Sequence, residues 1–238
     1  MPEALFRLTA REASAALARG DISPLELVEA AGARIAEVEP AVNALPTLCL
    51  DRARDHARRL MRGEGREMEG QAGWLGGLPV SIKDLTDVAG VRTTYGSPIF
   101  KDHVPMHSDV LVETIEDEGG IIYAKSNTPE FGAGANTFNE VFGVTRNPWN
   151  TSLSAAGSSG GAAAALASGM AWLAHGSDMG GSLRNPASFC GVVGMRPSPG
   201  RVATDPGNKV DRLLGVEGPM GRSVEDVALL FDAMLGES

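Results

Sequence analysis

Cysteine is scarce in this chain of 238 residues, which contains only Cys49 and Cys190. Two cysteines are too few for a disulfide scaffold, and neither stands in a pattern of metal ligands, so the sequence predicts no metal site. This usage favours a reducing compartment, and hence a cytoplasmic protein. Cys190 lies in the apolar run Phe189-Cys190-Gly191-Val192, which is typical of a small core residue rather than of a nucleophile.

Long apolar runs and excess positive charge are also missing. No stretch approaches the roughly 18 apolar residues of a membrane span, and the first twenty residues have no apolar signal-peptide core. The chain has 21 Lys and Arg against 30 Asp and Glu, a formal net charge of -9. The basic stretch at residues 52–59 is diluted by acidic neighbours and indicates a solvated helix face. We therefore predict neither a nucleic-acid partner nor a membrane partner.

The remaining composition is typical of a folded α/β protein. Hydrophobic residues make up 43% and charged residues 21% of the chain, values that suit one large buried core at this length. Residues 1–70 have mainly helical patterns, whereas short apolar runs alternate with helical segments afterwards. The sequence therefore predicts one domain over residues 1–238, with a helical packing region at 1–70 and an α/β core at 71–238, where the candidate catalytic residues described below lie.

Turn and cap signals predict where the elements begin and end. One predicted helix starts at Ser23, and the others span Thr9–Ala18, Ser108–Glu118, Ala162–Ala167 and Ser223–Leu235. The predicted strands span Leu78–Ile82, Ile121–Ala124 and Met170–His175. Lys83 directly follows the first of these strands. It therefore stands at a carboxyl strand end, where α/β proteins usually carry their sites.

Two glycine turns accompany this lysine, Gly157-Ser158-Ser159-Gly160-Gly161 and Gly180-Gly181-Ser182. Each feature alone is weak evidence, because glycine-serine turns are often flexible or capping loops and a lone lysine is usually a solvated charge. The first turn formally fits a G-x-S-x-G nucleophile elbow with Ser159 as nucleophile. That triad needs a later acid and histidine, and only His175 of four histidines follows, which disfavours it.

A phosphate-binding loop is a further interpretation of the glycine turns. It needs Gly-Lys-Ser or Gly-Lys-Thr at the start of a helix, and neither turn contains that lysine. The sequence therefore disfavours nucleotide binding.

Longer segments carry a family resemblance. Residues 157–165 read GSSGGAAAA and residues 176–187 read GSDMGGSLRNPA, with further matches at 77–84, 124–127, 147–149 and 189–194. Together they strongly resemble the amidase signature family, the serine–cis-serine–lysine amide hydrolases. The resemblance implies the amidase-signature α/β fold, a mixed β-sheet with helices on both faces. It covers the N-terminal and signature portion of a longer family fold, so its C-terminal part is not expected here.

This resemblance assigns catalytic roles residue by residue. Ser182 attacks the amide carbonyl, Ser158 transfers its proton, and Lys83 is the base, which is neutral when active. A serine hydroxyl needs such a base, and a buried lysine can serve because desolvation lowers its pKa towards neutrality. The peptide bond before Ser158 is expected to be cis, and Gly157 would permit it.

An oxyanion hole is implied beside the nucleophile. The N–H groups that would form it belong to Met179, Gly180, Gly181 and Ser182. Glycines there let the backbone approach a developing negative oxygen. Asp178 and Arg184 are expected to form an ion pair that holds this loop, and Ser159 to orient Lys83 or the turn.

Three functions stay open at this point. The preferred one is hydrolysis of a small carboxamide or acylamide, which needs no organic cofactor because serine supplies the covalent step. Since family members are longer, a catalytically silent scaffold or interaction module is the second. The third is the amidase component of a tRNA-dependent glutamine amidotransferase, against which residues 152–156 and the missing basic surface argue. An exposed sheet edge would also favour a homo-oligomer.

Overall fold

The computed structural model describes residues 2–204 and 214–236. The α-helices in these ranges are α1 (Ala10–Arg19), α2 (Pro24–Val42), α3 (Leu50–Met61), α4 (Val110–Asp117), α5 (Gly160–Ala167), α6 (Arg184–Cys190) and α7 (Val224–Met234). The strands are β1 (Thr47–Leu48), β2 (Pro79–Lys83), β3 (Ile121–Ser126), β4 (Phe138–Asn139), β5 (Gly143–Val144), β6 (Leu173–Asp178), β7 (Val193–Gly194) and β8 (Val216–Gly221). Short 3₁₀ helices lie at residues 2–7, 98–100 and 130–132.

Six strands form one sheet in the order β1-β3-β2-β6-β8-β7, while β4 and β5 form a separate pair. The three central strands β3, β2 and β6 run parallel, and β1, β8 and β7 pair antiparallel with their neighbours. This mixed sheet, flanked by helices, confirms the predicted fold class. The carboxyl ends of β2 and β6 meet at one edge, which is where sites of α/β proteins are usually built.

The first two helices begin as their sequences predict. The Thr9 hydroxyl accepts from the Glu12 N–H at 3.1 Å, and the Ser23 hydroxyl accepts from the Glu26 N–H at 3.3 Å. Each glutamate carboxylate in turn accepts a hydrogen bond from the cap residue's own N–H, which completes two capping boxes. Gly20 ends α1 at φ +72°, a left-handed conformation that glycine adopts without a steric penalty.

The predicted starts of α4 and β6 are wrong. Asp109 caps α4 through a bond from the Leu111 N–H, while the predicted cap, Ser108, accepts from the Ala89 N–H instead. The strand predicted over residues 170–175 is β6, which begins only at Leu173. Residues 170 and 171 complete the end of α5, because both N–H groups donate to the carbonyl of Ala165. The strand then continues to Asp178 because β8 pairs along its whole length.

Helix α5 begins at Gly160, two residues before the predicted start, and is built from small residues because its neighbours lie close. A Cβ on Gly160 would stand 2.3 Å from Thr137 Oγ1, and one on Gly161 would stand 2.3 Å from the Asn127 backbone nitrogen. The Gly160–Leu166 segment is fully enclosed. This close approach brings the first glycine turn against the ends of β2 and β6.

A buried ion pair joins the carboxyl ends of β2 and β3. Lys125 Nζ lies 3.2 Å from Asp84 Oδ1 and 2.6 Å from Thr93 Oγ1, and both charged side chains are essentially inaccessible. Asp84 also accepts from the N–H and the hydroxyl of Thr94. Because Asp84 follows Lys83 directly, this pair helps to set where β2 ends.

Replacing Lys125 by methionine is expected to destabilise the fold by about 3–5 kcal/mol, because the Asp84 carboxylate would stay buried without its cation. Lys101→Met is the matched control, since its side chain is 63% exposed and the expected change is within about 0.5 kcal/mol. Denaturant unfolding of the two variants measures the difference. Equal midpoints for both variants would contradict the structural role given to the pair.

Candidate active site

Lys83 is the last residue of β2, and its side chain is wholly buried. Its Nζ lies 2.6 Å from Ser158 Oγ, 2.9 Å from Ser159 Oγ and 3.0 Å from Ser177 Oγ. The lysine amine and both serines of the first glycine turn, which were predicted to act together, therefore share one cluster. Ser177 completes it from β6.

Burial lowers the pKa of Lys83 to about 7, although the negative charges of Glu217 and Asp178 oppose the shift. Desolvation dominates because a protein interior solvates an ammonium poorly. A lysine ammonium has three N–H donors, while the neutral amine has two and a lone pair. The three surrounding hydroxyls can therefore form hydrogen bonds with either the ammonium or the neutral amine, and Ser158 Oγ is closest to Nζ.

This pKa predicts how reactivity depends on pH. The rate at which a fluorophosphonate labels the site is expected to rise with pH through a midpoint near the Lys83 pKa of about 7. The sign follows from the role predicted for the lysine as a base, since the amine accepts a proton only in the neutral form that predominates above that pKa. Labelling rates between about pH 5 and pH 9 measure the profile. A flat profile would contradict the lysine's role.

The first glycine turn is held from two sides. The Gly157–Ser158 peptide bond is cis, as expected. Thr137 Oγ1 donates to the Ala156 carbonyl at 2.9 Å and accepts from the Gly160 N–H at 3.1 Å. These bonds fix the backbone on either side of Ser158. The position of its hydroxyl beside Lys83 is therefore set by tertiary contacts as well as by the turn itself.

A backbone bond joins the two glycine turns, because the Ser159 N–H donates to the Ser182 carbonyl at 3.2 Å. The Ser159 hydroxyl also donates to the Ser177 carbonyl at 3.2 Å. Ser182 is partly exposed, whereas Ser158 and Ser159 are buried. Of the serines in the two predicted turns, Ser182 is thus the one that an incoming substrate can reach.

The loop before Ser182 presents backbone N–H groups. Those of Met179, Gly180 and Ser182 donate to no protein atom in the described part of the chain. The N–H of Gly181 differs, because it donates to Asp178 Oδ1 at 2.7 Å. Gly181 has φ +114°, a region that favours glycine. Three of the four amides predicted to bind an oxyanion are therefore open, and the fourth is bonded to Asp178.

The ion pair expected between Asp178 and Arg184 is present, with Nε–Oδ2 at 2.9 Å and Nη2–Oδ1 at 3.1 Å. Burial raises the pKa of the Asp178 carboxyl, but bonds from Arg184 and from the Gly181 and Leu183 N–H groups outweigh it and hold the pKa well below its usual range. Arg196 adds a further bond to Oδ1 at 3.2 Å. The carboxylate thus ties the loop before Ser182 to two arginines.

Four residues of this site were missed by the sequence analysis. They are Ser177, Arg196, His175 as a partner of the Lys83 backbone, and Glu217. Ser177 could have been found, because it adjoins Asp178 at the start of the second glycine turn. Arg196 and Glu217 carry no local signal, since each reaches the site only through the folded sheet.

A loop with an aromatic residue lies next to the first glycine turn. A Cβ on Gly132 would lie 3.7 Å from Ser158 Oγ, so the loop containing Phe131 borders the first glycine turn. The Phe131 ring is 54% exposed and makes an edge contact with Phe100. Phe100 in turn contacts Tyr95. The loop beside the first glycine turn therefore carries an exposed aromatic residue that packs against another aromatic ring.

Comparison with known proteins identifies the protein family to which the six-stranded sheet and the Lys83–serine cluster belong. The amidase family model matches residues 26–238, and the chain belongs to that family. The family resemblance predicted from the sequence is thereby confirmed.

Named relatives and solved structures extend the comparison. The glutamyl-tRNA(Gln) amidotransferase A-subunit of Roseiflexus castenholzii is 40% identical over 232 residues, 98% of this chain and 47% of that protein. Its namesake from Symbiobacterium thermophilum is 42% identical over 219 residues, 91% and 44% of the two chains. A 6-aminohexanoate cyclic dimer hydrolase complexed with substrate matches with a TM-score of 0.88 at 33% identity. The match covers 98% of this chain and 48% of the hydrolase. A bacterial aryl acylamidase matches with a TM-score of 0.86 at 34% identity, and the match covers 97% of this chain and 48% of the acylamidase.

This chain spans about half the length of the curated relatives it matches. Within residues 2–204 and 214–236, no helix is long and apolar enough to cross a membrane. The same ranges contain no group of three or more His, Cys, Asp or Glu side chains arranged to hold a metal ion.

Proposed function

We propose that this chain hydrolyses the amide bond of a small carboxamide or acylamide through an acyl-enzyme on Ser182, with Ser158 and Lys83 transferring the proton. The observation that carries the proposal is the hydrogen bond of 2.6 Å between Lys83 Nζ and Ser158 Oγ, which joins two buried side chains. A lysine with a pKa of about 7 can accept a proton at neutral pH. Family membership supports the same chemistry.

The first half of the reaction forms the acyl-enzyme. Ser182 Oγ bonds to the amide carbon while its proton passes to Ser158 Oγ, and the Ser158 proton passes to neutral Lys83 Nζ. The carbonyl oxygen takes the negative charge of the tetrahedral intermediate. The open N–H groups of Met179, Gly180 and Ser182 are suited to hold that oxygen.

The second half releases both products. The carbon–nitrogen bond breaks as the proton returns from Lys83 through Ser158 to the leaving nitrogen. Water then attacks the acyl carbon and gives a proton through Ser158 to Lys83. As the Ser182–acyl bond breaks, the same relay returns that proton to Ser182 Oγ and the carboxylic acid product is released. The relay ends in its starting state, so no external oxidant, reductant or cofactor is consumed.

A second candidate function is the release of ammonia from glutamine within an amidotransferase. Identities of 40% and 42% to two glutamyl-tRNA(Gln) amidotransferase proteins favour it. The two functions share one acyl-enzyme mechanism and differ in substrate, because glutamine carries a charged amino acid group. An exposed aromatic residue, Phe131, in the loop next to Ser158 favours an amide with an apolar part instead.

A substrate panel separates these functions. Product release is measured with an aryl carboxamide, an anilide and glutamine, and intact mass is measured after treatment with a fluorophosphonate. Turnover of the apolar amides with one covalent adduct supports the first proposal, and ammonia release from glutamine alone supports the second. A folded chain with no adduct and no turnover would overturn both and favour a catalytically silent module.

A further inference from the structure

A buried histidine and a glutamate lie behind the catalytic lysine. His175 Nδ1 accepts a hydrogen bond from the backbone N–H of Lys83 at 3.3 Å, and His175 Nε2 lies 2.6 Å from Glu217 Oε2. The histidine ring is fully inaccessible, and the glutamate side chain is 28% exposed. Glu217 thus connects through one imidazole to the strand end that carries the lysine.

The geometry of the sheet explains why the Lys83 N–H meets a side chain. The following N–H, of Asp84, donates to Ser126 on the β3 side, so the N–H of Lys83 points towards β6. The paired register of β2 with β6 ends at Ser81 and Ala174. Without a backbone acceptor there, the buried N–H would be left unsatisfied, and the imidazole of His175 supplies the acceptor.

These contacts determine the tautomer of His175. A backbone N–H is always a donor, so Nδ1 must carry a lone pair and the ring is neutral. The ring proton is therefore on Nε2, where it is donated to the Glu217 carboxylate. Glu217 pairs with Ser177 across β6 and β8, which brings it diagonally next to His175 on the same face.

We propose that His175 and Glu217 form a positioning pair for Lys83, in which Glu217 fixes the histidine tautomer and His175 holds the backbone of the lysine at the end of β2. This inference rests on the proposed role of Lys83 as base. Neither residue touches the reacting hydroxyls in this arrangement, so both act through the lysine.

The charge of Glu217 gives the pair a second effect. Lys83 Nζ contacts the hydroxyls of Ser158, Ser159 and Ser177, and its backbone N–H contacts the neutral His175. The negative charges of Asp178 and Glu217 act on the lysine without a direct contact and raise its pKa. Asp178 is neutralised by two arginines and Asp84 by Lys125. Glu217 has only the neutral imidazole as its partner among the described residues. Its charge therefore favours the ammonium form of Lys83.

The two nitrogens of His175 can be tested separately with matched variants. The oxygen of His175→Asn occupies a position close to Nδ1 and can still accept from Lys83, whereas His175→Gln reaches the position of Nε2 and keeps only the contact with Glu217. We expect fluorophosphonate labelling to slow about 10–100-fold in His175→Gln and within about threefold in His175→Asn, because small displacements of a catalytic group cost that much. Circular dichroism checks that both variants fold.

Glu217→Gln is the second arm of the test, and it stays available if a histidine variant does not fold. It keeps an acceptor for the imidazole proton and removes the negative charge. The labelling rate is then expected to reach half its plateau at a lower pH than in the wild type, because the lysine loses its proton more readily. A residue with only a structural role would lower the rate at every pH and leave the midpoint unchanged.

The outcomes distinguish this inference from the proposed function. Absence of labelling in the wild type, or labelling unaffected by Lys83→Met, would overturn the role of Lys83 itself. Normal wild-type labelling with equal rates in His175→Asn and His175→Gln and an unchanged midpoint in Glu217→Gln would overturn only the positioning pair. Slower labelling in His175→Gln than in His175→Asn, with a lower midpoint in Glu217→Gln, supports it.

Discussion

Replacing Ser182 by alanine is expected to eliminate the covalent adduct and to lower amide hydrolysis by about 10⁴-fold or more, because the bond-forming oxygen is lost. Ser182 is the partly exposed serine at the end of the loop that presents the open N–H groups. The measurement is intact mass after fluorophosphonate treatment, followed by peptide mapping of the labelled residue.

Ser159→Ala is the matched control for this prediction. Ser159 lies in the turn that formally resembles a nucleophile elbow, but its hydroxyl is buried and bonded to Lys83 at 2.9 Å and to the Ser177 carbonyl. Its alanine variant should therefore still form the adduct, at a reduced rate. Labelling that persists in Ser182→Ala and disappears in Ser159→Ala would mean that Ser159 is the nucleophile.

Replacing Lys83 by arginine or by methionine is expected to lower both labelling and hydrolysis by about 10²–10⁴-fold, the usual contribution of a general base. The two variants fail for different reasons. Arginine keeps the positive charge but does not release its proton at any accessible pH. Methionine has a similar unbranched shape and no amine.

The comparison between these two variants identifies what the lysine supplies. If a cation alone were sufficient, Lys83→Arg would retain much of the wild-type rate and only Lys83→Met would lose it. Lys101→Arg, at a side chain that is 63% exposed, controls for the substitution itself. Initial rates with the best substrate of the panel, together with circular dichroism, provide the measurement.

Several elements could be predicted because their signals are local. The Ser23–Glu26 capping box contains its own donors and acceptors within four residues, so the start of α2 needs no tertiary information. The apolar run before Lys83 similarly predicts a buried strand ending at the lysine, as β2 does. The start of β6 was predicted three residues too early. An apolar run does not reveal that the N–H groups of residues 170 and 171 donate to the Ala165 carbonyl at the end of α5.

The amino-acid sequence by itself determined the family, several helices, the three parallel strands β2, β3 and β6, and which lysine and serines are candidates for the chemistry. Only the tertiary structure decided which groups surround them. The Gly181 N–H is bonded to Asp178, and Arg196, His175 and Glu217 join the site. These contacts depend on how β8 pairs with β6 and where the ladder of β2 ends. Strand register is set by packing over the whole sheet, so no local stretch of sequence contains it.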